Sequence, residues 1–451
     1  MVAILMLLYA GAGMAKSVLM VSVDGLKPEY VLEADARGLR IPYLRRLMAD
    51  GSYAEGVVGV WPTVTYPSHT TLVTGVTPAE HGIFTNVEFD PLHQFKESWF
   101  WYAHQIQVPT LWDAAHAKHF VTASIGWPVT VGDANIDYLI PEYWRISGPA
   151  ESLNSSDGYL IGALSRPEGL LAQMQAACGT YMMGNDTSLQ GDDIKTKFAV
   201  DIIRKHKPAF MTVHLSSLDD AQHAHGPFSS QANVDLEGID SLLSQLAEAA
   251  HASDPASIVA VISDHGFTNV THWVNLNVPF RQAGLIEETR DPNSGPGKVT
   301  AWKAQAWLAG GMAAIMLHDP ADQKTERDVR QLLQTLAVNP SNGIASIKDR
   351  AEIKALGAFP DAAFLVVFKP GYYAANNSTG DLISEIQGVH GGHGFSPEFP
   401  EMRASFFISG AGIAHHRNLG VVDMRQIAPT IAQVMGLTLP TAKADPLHVT
   451  P

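Results

Sequence analysis

Six residues of metal-ligating type and one threonine carry the chemistry open to this chain. Asp24 closes the apolar run VLMVSV. Asp219 and His223 follow MTVHLSSL, Asp264 and His265 follow IVAVIS, and His393 lies in the glycine-rich GGHGF shortly before ASFFISG. Each alone has an ordinary structural use. An aspartate at a strand end is more often a helix cap or turn former than a ligand, and a lone histidine is more often a satisfied polar side chain. Together they argue differently, because five of the six close apolar strands that should share one sheet edge. Asp219 and His223 are four positions apart, so one helical turn sets them on one face. Histidine nitrogen and carboxylate oxygen are the donors that zinc takes in tetrahedral sites.

The threonine is Thr65, in VWPTVTYPSHTTLVTG. The chain turns on Pro62 and Pro67, and SHTTLVTG reads as the first turns of a helix. Proline near a helix start costs little, since its missing N–H had no intrahelical partner. Thr65 is therefore expected at a strand-to-helix corner beside free backbone N–H groups and the positive helix end. Such a corner holds phosphate readily. A threonine hydroxyl is a weak nucleophile until its proton is removed or its oxyanion stabilised, and bound metal is the candidate activator.

The elements that must position these groups follow an α/β rhythm. KSVLMVSVDG, VTASIGW, PAFMTVHLSSLD, SIVAVISDHG and ASFFISG read as strands. PEYVLEADARGLRIPYLRRLMADG and VDLEGIDSLLSQLAEAAHA read as helices between them. Continuous apolar strands belong to parallel sheets covered on both faces. Their alternation with helices predicts a doubly wound, mostly parallel sheet between helix layers, which binds ligands outside the carboxyl ends of its strands. Residues 268–388, with NSGPGK and GYYAANNSTG, break the rhythm and are expected to form a smaller inserted cap. The catalytic core is then 16–267 and 389–451.

Composition narrows the function. The 451 residues, 46% of them hydrophobic, can bury a large core. A net charge of −15 argues against coating polymeric nucleic acid, but allows a small anionic substrate held through cations. The lone cysteine, Cys178, permits no intrachain disulfide and no cysteine-rich zinc site. MVAILMLLYAGAGMA is too short to span a membrane and reads as the apolar part of a secretory leader cleaved after Ala15, though no basic stretch precedes it. That reading places the protein in the periplasm or outside the cell, with no integral membrane segment.

The chain resembles the nucleotide pyrophosphatase/phosphodiesterase branch of the alkaline phosphatase superfamily. The resemblance runs from SVDG through PTVTYPSHTTLVTG, HGIFTN, HAHGP, SDHGF and VNLNVPFRQAGLI to GGHGF and IAPTIAQVMGL. It implies an alkaline phosphatase-like fold with two divalent metal ions, zinc by preference. One ion would be held by Asp219, His223 and His393. The other would be held by Asp24, Asp264 and His265, with the Thr65 oxygen as a further ligand. Asn86 falls where the family sets a side-chain amide on a phosphate oxygen. Ser68 departs from the family's usual asparagine, which touches a local turn contact and not the chemistry. The implied reaction is hydrolysis of a phosphodiester or phosphoric anhydride bond in a nucleotide or similar small molecule. Thr65 attacks, a phospho-threonine forms, and water then hydrolyses it from the opposite side. The Asn86 amide and the Tyr66 backbone N–H would stabilise charge on the transferring group.

Weaker readings surround this one. Tyr66 stacks on a base or aryl group, or packs in the core; Tyr143 and Trp144 of PEYW are substrate-wall candidates. His69, His81, His225 and His390 are expected to orient loops, and His272 could reach the site from the cap. A sulfatase would need a modifiable Cys or Ser in a proline- and arginine-containing motif, which is absent. A phosphonoacetate hydrolase-like C–P hydrolase on the same site stays open, as does a nucleotide-binding scaffold without turnover. Two divalent cations against Asp24, Asp219 and Asp264 leave about one net positive charge, matched to a diester. SIGWPVTVG and the loops around Thr65 and Asn86 contain no Lys or Arg to meet a monoester's second charge, with Arg145 the nearest candidate beyond PEYW.

Overall fold

The structure, a computed structural model, describes residues 16–92, 94, 98–144, 158–181, 186–289 and 298–451. The expected leader (1–15) and Arg145 lie outside these residues. Among the described residues, eight strands form the central sheet: β1 (Val18–Val23), β2 (Ser52–Tyr53), β3 (Thr122–Ile125), β4 (Tyr138–Ile140), β5 (Phe210–Leu215), β6 (Ile258–Ile262), β7 (Phe406–Gly410) and β8 (Arg417–Asn418). Their spatial order is β8-β2-β7-β6-β1-β5-β3-β4. The run from β6 to β4 is parallel, and β7 is antiparallel to β6.

The apolar strands have no solvent face. Leu19, Val21 and Val23 of β1 pack with Leu236, Ile239 and Leu243 of the helix Ser230–Ser253 and with Phe198 and Ile202 of the helix α2 (Leu189–His206). The alternate residues Val18 and Met20 point to the other side, against Leu72 of the helix α1 (Thr65–Thr74) and against Ile427 and Ile431. This is why the strands read as continuous apolar runs, and why their polar residues appear only where they stop.

Two local expectations change. The segment after β1 is not one helix. It breaks into Pro28–Leu32, Ala34–Arg37 and Pro42–Asp50, with Gly38 left-handed at φ 67° and Pro42 opening the last piece. Thr65 itself begins α1, with Val64 still extended, and Pro67 sits inside the first turn, where it is tolerated. The strand before it, Gly56–Val58, ends well short, so loop 59–64 carries the chain to the helix start.

Residues 304–368 build a second, antiparallel sheet in the order Ala304–Leu308, Met312–Leu317, Phe364–Phe368, Ile344–Asp349. Val329 and Leu333 of the helix Gln323–Val338 belong to the apolar cluster on this sheet. Thr268–Val274, which leaves the end of the central sheet, pairs antiparallel with Ile383–Gly392, Thr268 opposite Gly392. That pairing returns the chain to the carboxyl ends and delivers His393. Gly391 lies so close to the helix α3 (Ser217–His225) that a Cβ there would stand 2.4 Å from the Gln222 carbonyl oxygen. Gly391→Ala should push this strand off α3, lower stability by about 1–3 kcal/mol and separate His223 from His393. Thermal unfolding and metal content of the purified variant check this.

Candidate active site

Asp24 follows β1, Ser216 to Asp219 follow β5, and Asp264 with His265 follow β6, all at one end of the sheet. α3 then sets Asp219 and His223 on one face. Among the described residues, two groups could hold a metal ion: Asp219, His223 and His393, and Asp24, Asp264 and His265. Within each group the ligand atoms lie within 4.8 Å of one another. The two groups adjoin, because the His265 and His393 rings stack with centroids 3.6 Å apart.

The histidines are oriented for ligation. Each Nδ1 lies beside a backbone carbonyl: His223 by Gly391 (3.1 Å), His265 by Gly266 (3.2 Å), His393 by Thr63 (3.1 Å). An Nδ1–H donated there leaves Nε2 bare. Nε2 of His265 then faces Asp264 Oδ2 at 3.1 Å and Asp24 Oδ1 at 3.4 Å, and Nε2 of His223 faces Asp219 Oδ2 at 3.5 Å. Lone pairs thus face lone pairs. Asp24 Oδ1, Asp219 Oδ1 and Asp264 Oδ2 are buried with no hydrogen-bond partner. Such an arrangement is costly unless a cation fills it, so the residues present fit two metal ions.

The electrostatics of the protein alone say the same. Burial, then the charges of Asp264 and Asp219, lifts Asp24 well above the carboxylate range. Burial chiefly raises Asp219, and pushes Asp264 up to about 7. Burial, then its neighbouring imidazoles, drives His265 well down, and burial with His223 lowers His393 to about 3.

Thr65, 9% exposed, places Oγ1 3.4 Å from His265 Nε2. Its neighbour's N–H is not free. Tyr66 N donates to Asn86 Oδ1 at 2.9 Å, which turns the expected oxyanion donor into a clamp on the Asn86 amide. A cavity of about 230 Å³ opens over Asp24, Thr65, Asn86 and Asp219 and is walled by Tyr66, Trp99 and Trp144. The Tyr66 ring is 1% exposed, packs on Trp99 and Trp101, and donates its hydroxyl to Glu142 at 2.6 Å. Tyr143 is not among the lining residues; its ring packs on Trp101. His69 spans Thr65 O and Ser22 Oγ, and His81 meets Thr71 and Ile83. His390 holds His223 O, His225 ends α3 exposed, and His272 stacks on Tyr372 away from the cavity. Ser68 Oγ is buried without a partner.

Several lining residues escaped the sequence reading, Trp99, His214, Glu142 and Lys195 among them. His214, inside β5, approaches Asp24 Oδ2 (3.0 Å) through Nε2, and Glu142 Oε2 (3.0 Å) and Gly126 O (3.1 Å) through Nδ1. The Gly126 carbonyl can only accept, so Nδ1 donates, and with Asp24 ionised Nε2 donates as well and the ring carries positive charge. Burial opposes that charge, but the bonds to Asp24 and Glu142 outweigh it and push His214 up to about 10. Lys195 lines the cavity from α2 and meets Asp192 (3.3 Å) and Ser216 Oγ (3.1 Å). Its spacing to Phe198, Ala199 and Ile202 puts it on the buried stripe, a signal present in the sequence. A histidine inside an otherwise apolar strand was another, since a buried polar group needs partners. His214 and Glu142 cancel, as do Lys195 and Asp192, and Asp186 adds one negative charge, so the described lining residues leave no uncompensated cation.

The profile of the family described as type I phosphodiesterase / nucleotide pyrophosphatase matches residues 18–396. The chain belongs to this family. It is 25% identical over 258 residues to mouse ectonucleotide pyrophosphatase/phosphodiesterase family member 1, covering 55% of this chain and 24% of that one. Human family member 5 is 24% identical over 256 residues, covering 56% and 45%. The chain thus spans less than half the length of these curated relatives. Among solved structures, murine ectonucleotide pyrophosphatase/phosphodiesterase 5 shares the fold, with a TM-score of 0.64 at 18% identity, covering 96% of this chain and 97% of that one. A second structure of that murine protein is an inactive threonine-to-alanine variant in complex with AMP. Among the described residues, no helix is long and apolar enough to cross a membrane.

A carboxyl raised in the folded state favours folding below its unfolded pKa and loses that contribution as pH rises through its folded pKa. For Asp264 the window runs from about 4 to about 7. In metal-stripped protein, Asp264→Asn should therefore unfold at a higher temperature than wild type at pH 8, with the advantage gone near pH 4. Thermal scans across that range, with chelator present, check the sign.

Proposed function

We propose that the chain is a two-metal hydrolase of phosphodiester and phosphoric anhydride bonds in small nucleotide-type substrates. One observation carries this reading: Thr65 begins a helix beside two adjoining Asp/His groups whose buried oxygens lack partners. Asp219, His223 and His393 would hold one ion; Asp24, Asp264 and His265 the other, with Thr65 Oγ1 beside it. When bound, zinc ions lower the pKa of a hydroxyl and neutralise charge on a phosphate.

The chain's own residues do the rest. Thr65 Oγ1, deprotonated, attacks phosphorus, forming a Thr–O–P bond as the bond to the leaving oxygen breaks and that oxygen takes up a proton. Water then cleaves the phospho-threonine and restores the hydroxyl. The Asn86 amide, its oxygen fixed by Tyr66 N–H, keeps its NH₂ to donate to a phosphate oxygen. Tyr66, Trp99 and Trp144 offer an apolar wall to the substituent that stays on phosphorus or leaves it. Residues 268–388 act as the cap on a core of 16–267 and 389–451, returning His393 to the site.

Thr65→Ala should lose turnover by several orders of magnitude while still folding and binding two zinc-like ions; Thr65→Ser should keep part of the activity. Steady-state kinetics with elemental analysis check both. An active Thr65→Ala alongside a dead Thr71→Ala or Ser68→Ala would move the nucleophile. Exhaustive chelation should abolish activity in wild type, and full activity after it would refute the two-metal reading.

Lys195 is already met by Asp192, and a monoester carries about two negative charges. The site therefore suits one negative charge, and kcat/KM for an aryl or nucleotide diester should exceed that for the matching monoester by at least about 10², roughly 2.7 kcal/mol of barrier. A substrate panel that includes phosphonoacetate measures this, and preference for the monoester or for C–P cleavage would reject the assignment.

A further inference from the structure

We infer that His214 and Glu142 form a positioning pair that sets Asp24 for its cation and ties it to the helix start carrying Thr65. The inference rests on the two-metal reading above and concerns two residues that it does not use. β5 pairs with β1 in the register Ser22↔His214, which brings the imidazole beside Asp24 at the strand end. His214 Nε2 donates to Asp24 Oδ2 at 3.0 Å, while Asp24 Oδ1 stays buried and without a hydrogen-bond partner. The ring therefore takes one carboxylate oxygen and leaves the other aimed at the group with Asp264 and His265.

Glu142 fixes the ring from behind. Its Oε2 accepts from His214 Nδ1 at 3.0 Å, and its Oε1 accepts from the Tyr66 hydroxyl at 2.6 Å. Tyr66 directly follows Thr65. One continuous chain of hydrogen bonds, Tyr66–Glu142–His214–Asp24, thus joins the nucleophile's neighbour to a metal-facing carboxylate across four separate elements. Its members are nearly shut from solvent, the Glu142 side chain being the most open at 12%. A chain that only neutralised buried charge would need no such continuity. Groups that orient a ligating carboxylate typically contribute 10- to 100-fold in metal affinity, and here the same groups hold the distance between ligand and nucleophile.

The test measures metal binding apart from turnover, by competition with a chromophoric chelator on full-length wild type, His214→Ala, Glu142→Ala, Glu142→Gln and Asp24→Ala. Asp24→Ala identifies which of the two zinc affinities belongs to the Asp24 group. His214→Ala should weaken that affinity about 10- to 100-fold and leave the other unchanged. Glu142→Ala should weaken the same site and lower kcat with little change in KM, whereas Glu142→Gln, which can still bond both neighbours, should recover most of both. Unfolding temperatures with chelator present separate this from a purely structural role. Variants that melt earlier but keep both wild-type affinities would overturn the inference, as would loss confined to the other site. If His214→Ala does not fold, the split between Glu142→Ala and Glu142→Gln decides alone. Wild type that binds no pair of ions would instead remove the reading beneath it.

Discussion

Three carboxylates and three bare imidazole nitrogens meet at the end of a buried parallel sheet, and their mutual repulsion is the constraint on which the rest depends. In an interior of low dielectric, unpaired charges of one sign cannot be left together without a counterion. The protein gives these groups few internal partners. Asp264 accepts one backbone N–H, from Gly25 at 3.1 Å, and Asp24 is held by His214. The remaining oxygens converge with the Nε2 atoms of His223, His265 and His393. The protein's own bonds therefore leave two places where a cation would relieve that repulsion.

The fold meets the geometric side of that requirement. Parallel strands with both faces covered end in register, so residues that follow β1, β5 and β6 arrive at one edge although far apart in sequence. α1 begins at the same edge, with Thr65 at its first position and its N-terminal end turned to the cavity. The antiparallel return of Ile383–Gly392 supplies the last imidazole. Close approaches without Cβ atoms make that return possible: Gly391 against Gln222, and Gly310 against the His393 carbonyl.

The hydrogen bonds around the site form a layer behind the side chains that face the cavity. Asn86 is held by Tyr66 N–H, Tyr66 by Glu142, Glu142 by His214, and His69 bridges Thr65 and Ser22. Each spends a polar group that would otherwise be buried unsatisfied, and each also narrows where a neighbouring atom can sit. Lys195 with Asp192 belongs to the same layer, because Asp192 accepts from the N–H groups of Ser216 and Ser217 where α3 begins.

The sequence by itself determined the five long central strands, the layered α/β class and the residue types at the strand ends. These follow from local periodicity: a strand buried on both faces has no polar residue until it stops, and Asp219 and His223 share a helical face by spacing alone. It also carried the motif order that marks the family. Only the tertiary structure decided what is non-local. It set His393 beside Asp219 and stacked it on His265, because sheet order and the return strand fix that meeting. It made Tyr66 N–H a clamp on Asn86, which no spacing could show, since the partner lies on another loop. It brought Lys195, Glu142 and His214 to the cavity: Lys195 from a helix between strands, Glu142 from beyond β4, and His214 from within β5, where its neighbours in space come from other elements. Periodicity reports which way a side chain faces; what it faces depends on chain segments distant in sequence, and packing alone brings those together.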